Sequence, residues 1–579
     1  MSTRLRTIAL VAAATAASVT APASGAAGPT GPVVVGGSAQ PVFSSKAADW
    51  TVREAWVKVP VDSDRDGRRD RVHIRYARAT AATDRLPVIM EASPYFTGVN
   101  DVPNHNVDHD LYDPTSRRTY ADRPATRAGS PDLLDPWWGR NWITRGFAWV
   151  EMESLGTGGS TGCPTTGGVN ETLGPKAVID WLNGRATAYD RSGRAVRADF
   201  TNGRVGMLGV SYDGTLPNAV VSTGVDGLKA IIPMSAISDW YGYYRAGGAV
   251  VAPDGYQGED TDVLAKFVLT RANPSICDRV IAGLAARQDR VTGDMSSFWA
   301  QRSYLADVAK VKAAVYVSHG LSDWNVKPSQ AGLWYRALRA QGTPAKIFWH
   351  QGAHGGQPPL YEQNRWFTRY VIGAANGVER EPRAIIENPA GEPIRYADWP
   401  IPSAKPTSIP LSQLTLRAGS AGRLMTFTDD PRNSLVPFTT NPKRANGLAF
   451  ATAPLTANTR LSGFARADLR AAFGQVNANV SVGILDLDAR GRATLVAQGW
   501  TDPQNRNSLW HSDALVPGQF VNLRVDLEAT DHVFAAGHRI AITLLQSDHE
   551  FTIRPPAGKT MTLDTSRSTI TLPLTIPLP

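Results

Sequence analysis

Cysteine, charge and long apolar runs are all scarce in this chain. Two cysteines in 579 residues exclude a scaffold built from a disulfide network, so the fold must rest on buried apolar surface. The hydrophobic content of 42% supports substantial cores, and a chain this long is expected to make two or three domains. Charged residues reach only 19%, and the formal net charge of +8 becomes +6 without Arg4 and Arg6. The basic residues are scattered, with no basic stripe interleaved with aromatics, so nucleic acid is not an expected partner. No segment of about 20 apolar residues occurs, so no membrane span is expected. The glycine-rich run 156–162 lacks a Gly-Lys-Ser/Thr ending, which argues against nucleotide binding. Its place after the apolar run 147–152 suits the rim of a site instead.

The N-terminus reads as an export signal. Residues 1–6 are short and basic, 7–19 are apolar and alanine-rich, and small residues follow, with cleavage expected after Ala23 or Ala27. The expectation is a signal peptide over 1–27 and a secreted, extracellular protein. Residues 28–49 are rich in Gly, Pro, Ala and Val and read as a flexible lead. Export would permit Cys163 and Cys277 to pair and tie a cap element to the site loops, but sequence leaves open whether they are close enough. Around 50–74, strand-like alternation flanks an acidic turn from Asp62 to Asp70. Its first nine positions resemble a calcium loop, but His73 stands at the twelfth position, where an EF-hand needs glutamate. The turn is read as a polar hairpin turn and no metal is assigned.

The most informative text is GRVGMLGVSYDGTLPN at 203–218. An apolar run leads into Gly209-Val210-Ser211-Tyr212-Asp213-Gly214, and a helix-compatible stretch follows. This is the layout of a nucleophile elbow: a strand ends, the backbone turns sharply at a serine, and a helix begins. The second glycine comes one residue later than in the strict G-x-S-x-G pattern. An elbow serine needs a base and an orienting acid, usually in the order Ser…Asp…His. Asp323 follows the apolar run 314–317 in a Gly/Ser turn, and His354 follows 345–349 in a glycine-flanked loop. Both stand just past strand ends, where open α/β sheets place their sites. His319 and His350 lie nearer their strands and suit structural roles. The expected catalytic set is Ser211, Asp323 and His354.

At these residues the chain resembles the Xaa-Pro dipeptidyl-peptidases, a serine peptidase family that also includes cocaine esterase and the α-amino-acid ester hydrolases. The resemblance rests on GPKAVIDWLNGRA (174–186), GVSYDGTLPNAV (209–220), 235–265 with its WYGYYR and GYQGED segments, HGLSDWNVKP (319–328) and HQGAH (350–354). It implies an oxyanion hole from the Tyr212 N–H and the Tyr95 hydroxyl, the latter in the turn Ser93-Pro94-Tyr95. The other reading of Tyr95 is a turn tyrosine packed under the site. The resemblance also implies that Glu259 receives the substrate's free α-ammonium; by residue type alone it would be a surface acid. Trp240, Tyr243, Asn325 and Val326 are the expected walls of a proline pocket, although some of the aromatics at 240–244 must be core. Many group members carry an arginine where Leu155 stands here.

The expected fold class is α/β: an α/β-hydrolase catalytic domain over 50–380 with a helical cap insertion at about 237–305. From 381 to 579, short alternating segments separated by Gly/Pro/Asn/Asp turns read as an all-β sandwich. The resemblance makes it a jelly roll, with Gly537-His538-Arg539-Ile540 as its signature. The expected activity is that of a serine protease of the aminopeptidase type, releasing Xaa-Pro dipeptides from small peptides with a free N-terminus through an acyl-enzyme. The chemistry requires no cofactor. An esterase or acylase of the same group is the alternative, and a degenerate binding protein the second.

Overall fold

The computed structural model describes residues 28–108, 136–416, 422–442, 445–555 and 557–578. The expected signal peptide, 1–27, lies outside them.

The catalytic half is organised by one large mixed sheet. Its main strands are β1 (Trp50–Lys58), β2 (Arg71–Ala79), β3 (Leu86–Ser93), β4 (Ala148–Glu153), β5 (Thr201–Val210), β6 (Leu228–Met234), β7 (Ala314–Gly320), β8 (Ala345–His350), β9 (Ala384–Glu387) and β10 (Pro393–Tyr396). Their spatial order is β1-β2-β4-β3-β5-β6-β7-β8-β9-β10. Neighbours from β4 through β9 run parallel, while β2 is antiparallel to both β1 and β4. The central strands are covered on both faces, and β3, β4, β7 and β8 are buried along their whole length. That is why they read as near-continuous apolar runs rather than alternating ones. Helices Val169–Leu182, Tyr212–Val221, Ser329–Ala340 and Leu360–Phe367 are among those that cover the sheet. This is an α/β-hydrolase sheet.

Residues 28–49 correct the expectation of a flexible lead. They form a small hairpin, Val34–Val35 with Ser38–Ala39. The Ala39 amide donates to Thr368 Oγ1 at 3.0 Å, and its carbonyl accepts from Asn364 Nδ2 at 3.0 Å. The composition suggested flexibility, but partners on and beyond the helix Leu360–Phe367, far away in sequence, pin the segment.

Between β6 and β7 the alternation is interrupted, as expected. The insertion holds helices Trp240–Tyr244, Thr261–Val268, Asp278–Arg287 and Ser297–Ala300. It is fastened to the loop after β4 at several points, among them the bonds from Arg302 to the Thr165 and Thr166 carbonyls. Cys163 and Cys277 form a disulfide with Cα atoms 5.6 Å apart. Beside it, Arg271 donates to Asp64 at 2.6 Å and to the Gly162 carbonyl at 2.7 Å. The acidic turn is thereby accounted for in protein terms. Asp62, Asp64 and Asp70 bring carboxylate oxygens within 4.8 Å of one another, but Asp64 pairs with Arg271, Asp70 with Ser63, and Asp62 with the Asp66 and Gly67 amides. Burial pushes the Asp64 carboxyl up, but the Arg271 bond and charge and the Asp66 and Gly162 amides together outweigh it and lower the carboxyl below its usual range.

The C-terminal half is two antiparallel sheets packed face to face. One contains the fifteen-residue strands Thr459–Phe473 and Phe520–Phe534; the other is centred on Val480–Leu487 and Arg539–Leu545. Their inward residues form a core separate from that of the catalytic sheet. Among the described residues, no helix is long and apolar enough to cross a membrane.

Candidate active site

Ser211 sits at the end of β5 with φ 63° and ψ −125°, immediately before the helix Tyr212–Val221. The two glycines of the elbow are required by space. A Cβ on Gly209 would lie 2.4 Å from the Asp213 carbonyl, and one on Gly214 would lie 2.7 Å from the carbonyl oxygens of Gly209 and Met234. The turn leaves the serine hydroxyl facing a loop from β8. His354 Nε2 is 2.9 Å from Ser211 Oγ, and His354 Nδ1 is 2.9 Å from Asp323 Oδ2. Asp323 is completely buried, and its other oxygen accepts the Val326 amide at 2.9 Å. The three residues expected from sequence are thus joined in one hydrogen-bonded chain.

The competing histidines have other partners. His319 Nε2 lies 2.6 Å from the Val326 carbonyl, and burial pushes its imidazole down to about 4. It therefore stays neutral and donates there. His350 Nε2 donates to the Gly355 carbonyl at 2.9 Å while its Nδ1 accepts the Gly352 amide. It braces the loop that carries His354. Ser235, just past β6 and at φ 45°, clamps the same loop by giving to the Gly355 carbonyl and receiving from its amide. Nothing in the sequence pattern singled out Ser235.

The Tyr212 amide is the first of its helix, one of the N–H groups that a helix leaves without an internal partner. Its phenol donates to Glu171, a buried carboxylate that also accepts the amides of Thr165, Thr166 and Gly167. The Tyr95 ring stands edge-on to Tyr212, with centroids 6.1 Å apart. The Tyr95 amide donates to Ser93 Oγ at 3.0 Å, and Ser93 in turn bonds the Asp213 carboxylate. Burial raises that carboxyl to about 8. One serine thus couples the tyrosine turn to the elbow. Glu171, Ser93 and Asp213 were not found by sequence reasoning, because their partners lie far apart in the chain.

Glu259 is buried, and the Tyr244 hydroxyl donates to it at 2.8 Å. Burial raises its carboxyl to about 7, and the Tyr244 bond and the Lys327 charge hold it down against the push of burial and Asp260. Its charge is felt by both Tyr95 and Tyr243, and its partner Tyr244 packs on the Tyr243 ring with centroids 4.6 Å apart. Tyr243 donates to Asn325 Oδ1 at 3.0 Å, which places that pair two residues beyond Asp323. Two expected wall residues have other positions. Trp240 has no exposed surface; it donates to Tyr304 at 3.0 Å and packs against Tyr212 and Tyr243. Val326 is 1% exposed and bonds Asp323 and His319 through its backbone. Both stand behind the cleft as supports. Tyr244, not singled out in advance, is the residue that reaches Glu259.

A serine on a strand–helix elbow, bonded through a histidine to a buried aspartate in an α/β-hydrolase sheet, defines the class: a serine hydrolase. Comparison with known proteins narrows it. The X-Pro dipeptidyl-peptidase (S15 family) pattern matches residues 66–356, and the pattern of the X-Pro dipeptidyl-peptidase C-terminal non-catalytic domain matches 376–575. A relative from Bacillus anthracis, which carries a provisional Xaa-Pro dipeptidyl-peptidase name, is 42% identical over 93% of this chain and 89% of its own. The Xaa-Pro dipeptidyl-peptidase of Lacticaseibacillus rhamnosus is 31% identical over 94% of this chain and 79% of its own. Among solved structures, a CocE/NonD family hydrolase from Staphylococcus aureus aligns with a TM-score of 0.65 at 17% identity, covering 90% of this chain and 96% of its own. An α-amino acid ester hydrolase aligns with 0.62 at 18% identity, covering 96% and 100%. These last two share the fold. The chain belongs to the S15 family of serine peptidases.

Proposed function

We propose that this enzyme releases Xaa-Pro dipeptides from the free N-termini of small peptides through an acyl-enzyme, and that it does so outside the cell. Ser211 attacks the carbonyl of the second residue. His354 takes the serine proton and returns it to the leaving amine, while Asp323 orients and stabilises the imidazolium. The Tyr212 amide and the Tyr95 hydroxyl receive the developing oxyanion. Water then hydrolyses the ester on Ser211. Tyr243 and Asn325 form the apolar-faced wall for proline, a ring that offers shape and no hydrogen bond.

The observation that carries this reading is Glu259: a buried carboxylate held by Tyr244, whose neighbour Tyr243 bonds Asn325, two residues beyond Asp323. An unpaired buried charge is costly, so the subsite favours a ligand that brings a cation. A free α-ammonium does; an acylated N-terminus does not. The family membership and the names of the relatives support the proline preference. The export reading rests on the sequence of 1–27.

The test is chromophore release from Ala-Pro-p-nitroanilide, its N-acetyl derivative and a p-nitrophenyl ester. Cleavage of the free-amine anilide and not the acetylated one is expected. Ester turnover with both anilides intact would leave the esterase alternative in its place.

A further inference from the structure

Lys327 is a buried ammonium with no carboxylate beside it. It lies four residues beyond Asp323 and is 1% exposed. Its Nζ donates to the Tyr243 carbonyl at 3.0 Å and faces the rings of Tyr243 and Trp500 at 5.6 and 5.9 Å. Among the described residues, no ion pair reaches it. Glu528, Asp323, Asp254 and Glu259 act on it at longer range. A lysine is seldom buried without a direct partner, so its placement calls for a use.

Two of its surroundings come from the β-sandwich. Trp500, on the strand Ala493–Thr501, faces it and donates to Asp548 at 3.1 Å. With Phe551 and the insertion residues Ala249 and Val251 it forms a small apolar cluster against which Trp324 packs. Glu528, on the strand Phe520–Phe534, accepts the Ser329 amide at 2.8 Å, and the Ala529 amide donates to Ser329 Oγ. The loop between Asp323 and Ser329 is therefore gripped from both sides: by the helix Trp240–Tyr244 and by the sandwich.

We propose that Lys327 is a positioning residue for dipeptide recognition: it ties the loop of Asp323 and Asn325 to the helix that carries Tyr243 and Tyr244, the residue that holds Glu259, with the β-sandwich as the wall that excludes water. The inference rests on the function proposed above. The lysine acts at a distance through a poorly screened interior, where one charge on another is felt strongly. Glu259 also accepts from the Tyr244 hydroxyl, Arg290 bonds its carbonyl, and the Tyr95 and Tyr243 phenols and the Asp260 carboxylate interact with its charge at longer range. The Lys327 charge lowers the Glu259 carboxyl in the free enzyme. Without it Glu259 holds its proton to higher pH.

The experiment compares Lys327→Met and Trp500→Leu with the parent enzyme on Ala-Pro-p-nitroanilide and p-nitrophenyl acetate across pH 5 to 9. For Lys327→Met, KM for the anilide is expected to rise about tenfold with a smaller change in kcat, and the acid limb of kcat/KM to move up by about half a pH unit or more. The ester, which has no amine, should lose several-fold less. Trp500→Leu should move KM and the limb in the same direction by a smaller amount. An unmoved acid limb, or equal losses on both substrates, would overturn the proposal as a merely structural role. If Lys327→Met does not fold, an unchanged KM and limb in Trp500→Leu overturns it alone. Parent enzyme that leaves the anilide intact would instead sink the function it rests on, and this inference with it.

Discussion

The reacting groups and the proposed recognition groups of this enzyme are held by different means. Ser211, Asp323 and His354 each follow a parallel strand, β5, β7 and β8, that is buried in one sheet. Their positions are set by backbone register. Glu259 and Tyr244 come from an insertion that has no strand in that sheet, fastened by a disulfide and the Arg271–Asp64 pair. Lys327 belongs to the sheet's loops but faces the sandwich. Attack geometry is thus a property of the fold, whereas selectivity, on the proposed function, is a property of attachments to it. Changes to the first should abolish chemistry; changes to the second should alter what is cleaved, or how firmly the cap holds.

The sharpest break between the two is Ser211→Ala, which should lower kcat by about four to six orders of magnitude on anilide and ester alike while leaving the melting temperature near that of the parent. Comparable losses at Glu259 on the ester would erase the distinction. The Cys163–Cys277 bond closes a loop with a separation of 114 residues. On the chain-entropy account, its removal in Cys277→Ser should cost about 4–5 kcal/mol of stability. The loss should appear as earlier proteolysis within the insertion, read by limited digestion, with the sheet core surviving longer.

Glu259→Gln should reduce kcat/KM for Ala-Pro-p-nitroanilide by about two orders of magnitude and affect the ester far less. The same residue sets a pH signature. Its carboxyl sits at about 7 in the free enzyme. Below that it is neutral and offers the substrate ammonium no charge; above it, it is ionised. KM for the anilide should therefore fall as pH rises through 7, and this dependence should vanish in the glutamine variant. The smallest effect is expected for Asp64→Asn, which weakens the ion-pair fastening and leaves Arg271 poorly paired. A loss of about 1–3 kcal/mol, seen in thermal unfolding, would fit. No loss would mean that the disulfide and the hydrogen bonds to the loop, such as those of Arg302, hold the insertion without this pair.

The sheet was readable because its signals are local. Continuous apolar runs marked β3, β7 and β8, and the glycines around Ser211 marked the elbow. Asp323 and His354 could be placed because each follows such a run. The order in which the strands lie side by side was implied only through the family resemblance. The supports were hidden for one physical reason: they act across the chain. Glu171 reaches Tyr212 over 41 residues, and Ser235 reaches Gly355 over 120. Residue type also misled. Four aromatics at 240–244 looked alike, yet Trp240 is a buried prop, Tyr243 faces Asn325, and Tyr244 holds Glu259. The lead at 28–49 was misjudged because composition says nothing about Thr368 and Asn364 waiting at the far end of the domain.

The elbow glycines have a consequence for how this sequence can change over time. Neither Gly209 nor Gly214 needs its glycine for a left-handed backbone; each needs it because main-chain atoms occupy the space of a side chain. The obstruction to Gly209 is the peptide carbonyl of Asp213, and part of the obstruction to Gly214 is the carbonyl of Gly209 itself. No second-site replacement can trim a peptide group, so a first mutation at either position has no compensating partner. In a mutational library these two positions should behave as closed gates even when every neighbour tolerates variation. Gly342 and Gly491, which face open space, lack that spatial bar and meet only the strain of their left-handed backbone.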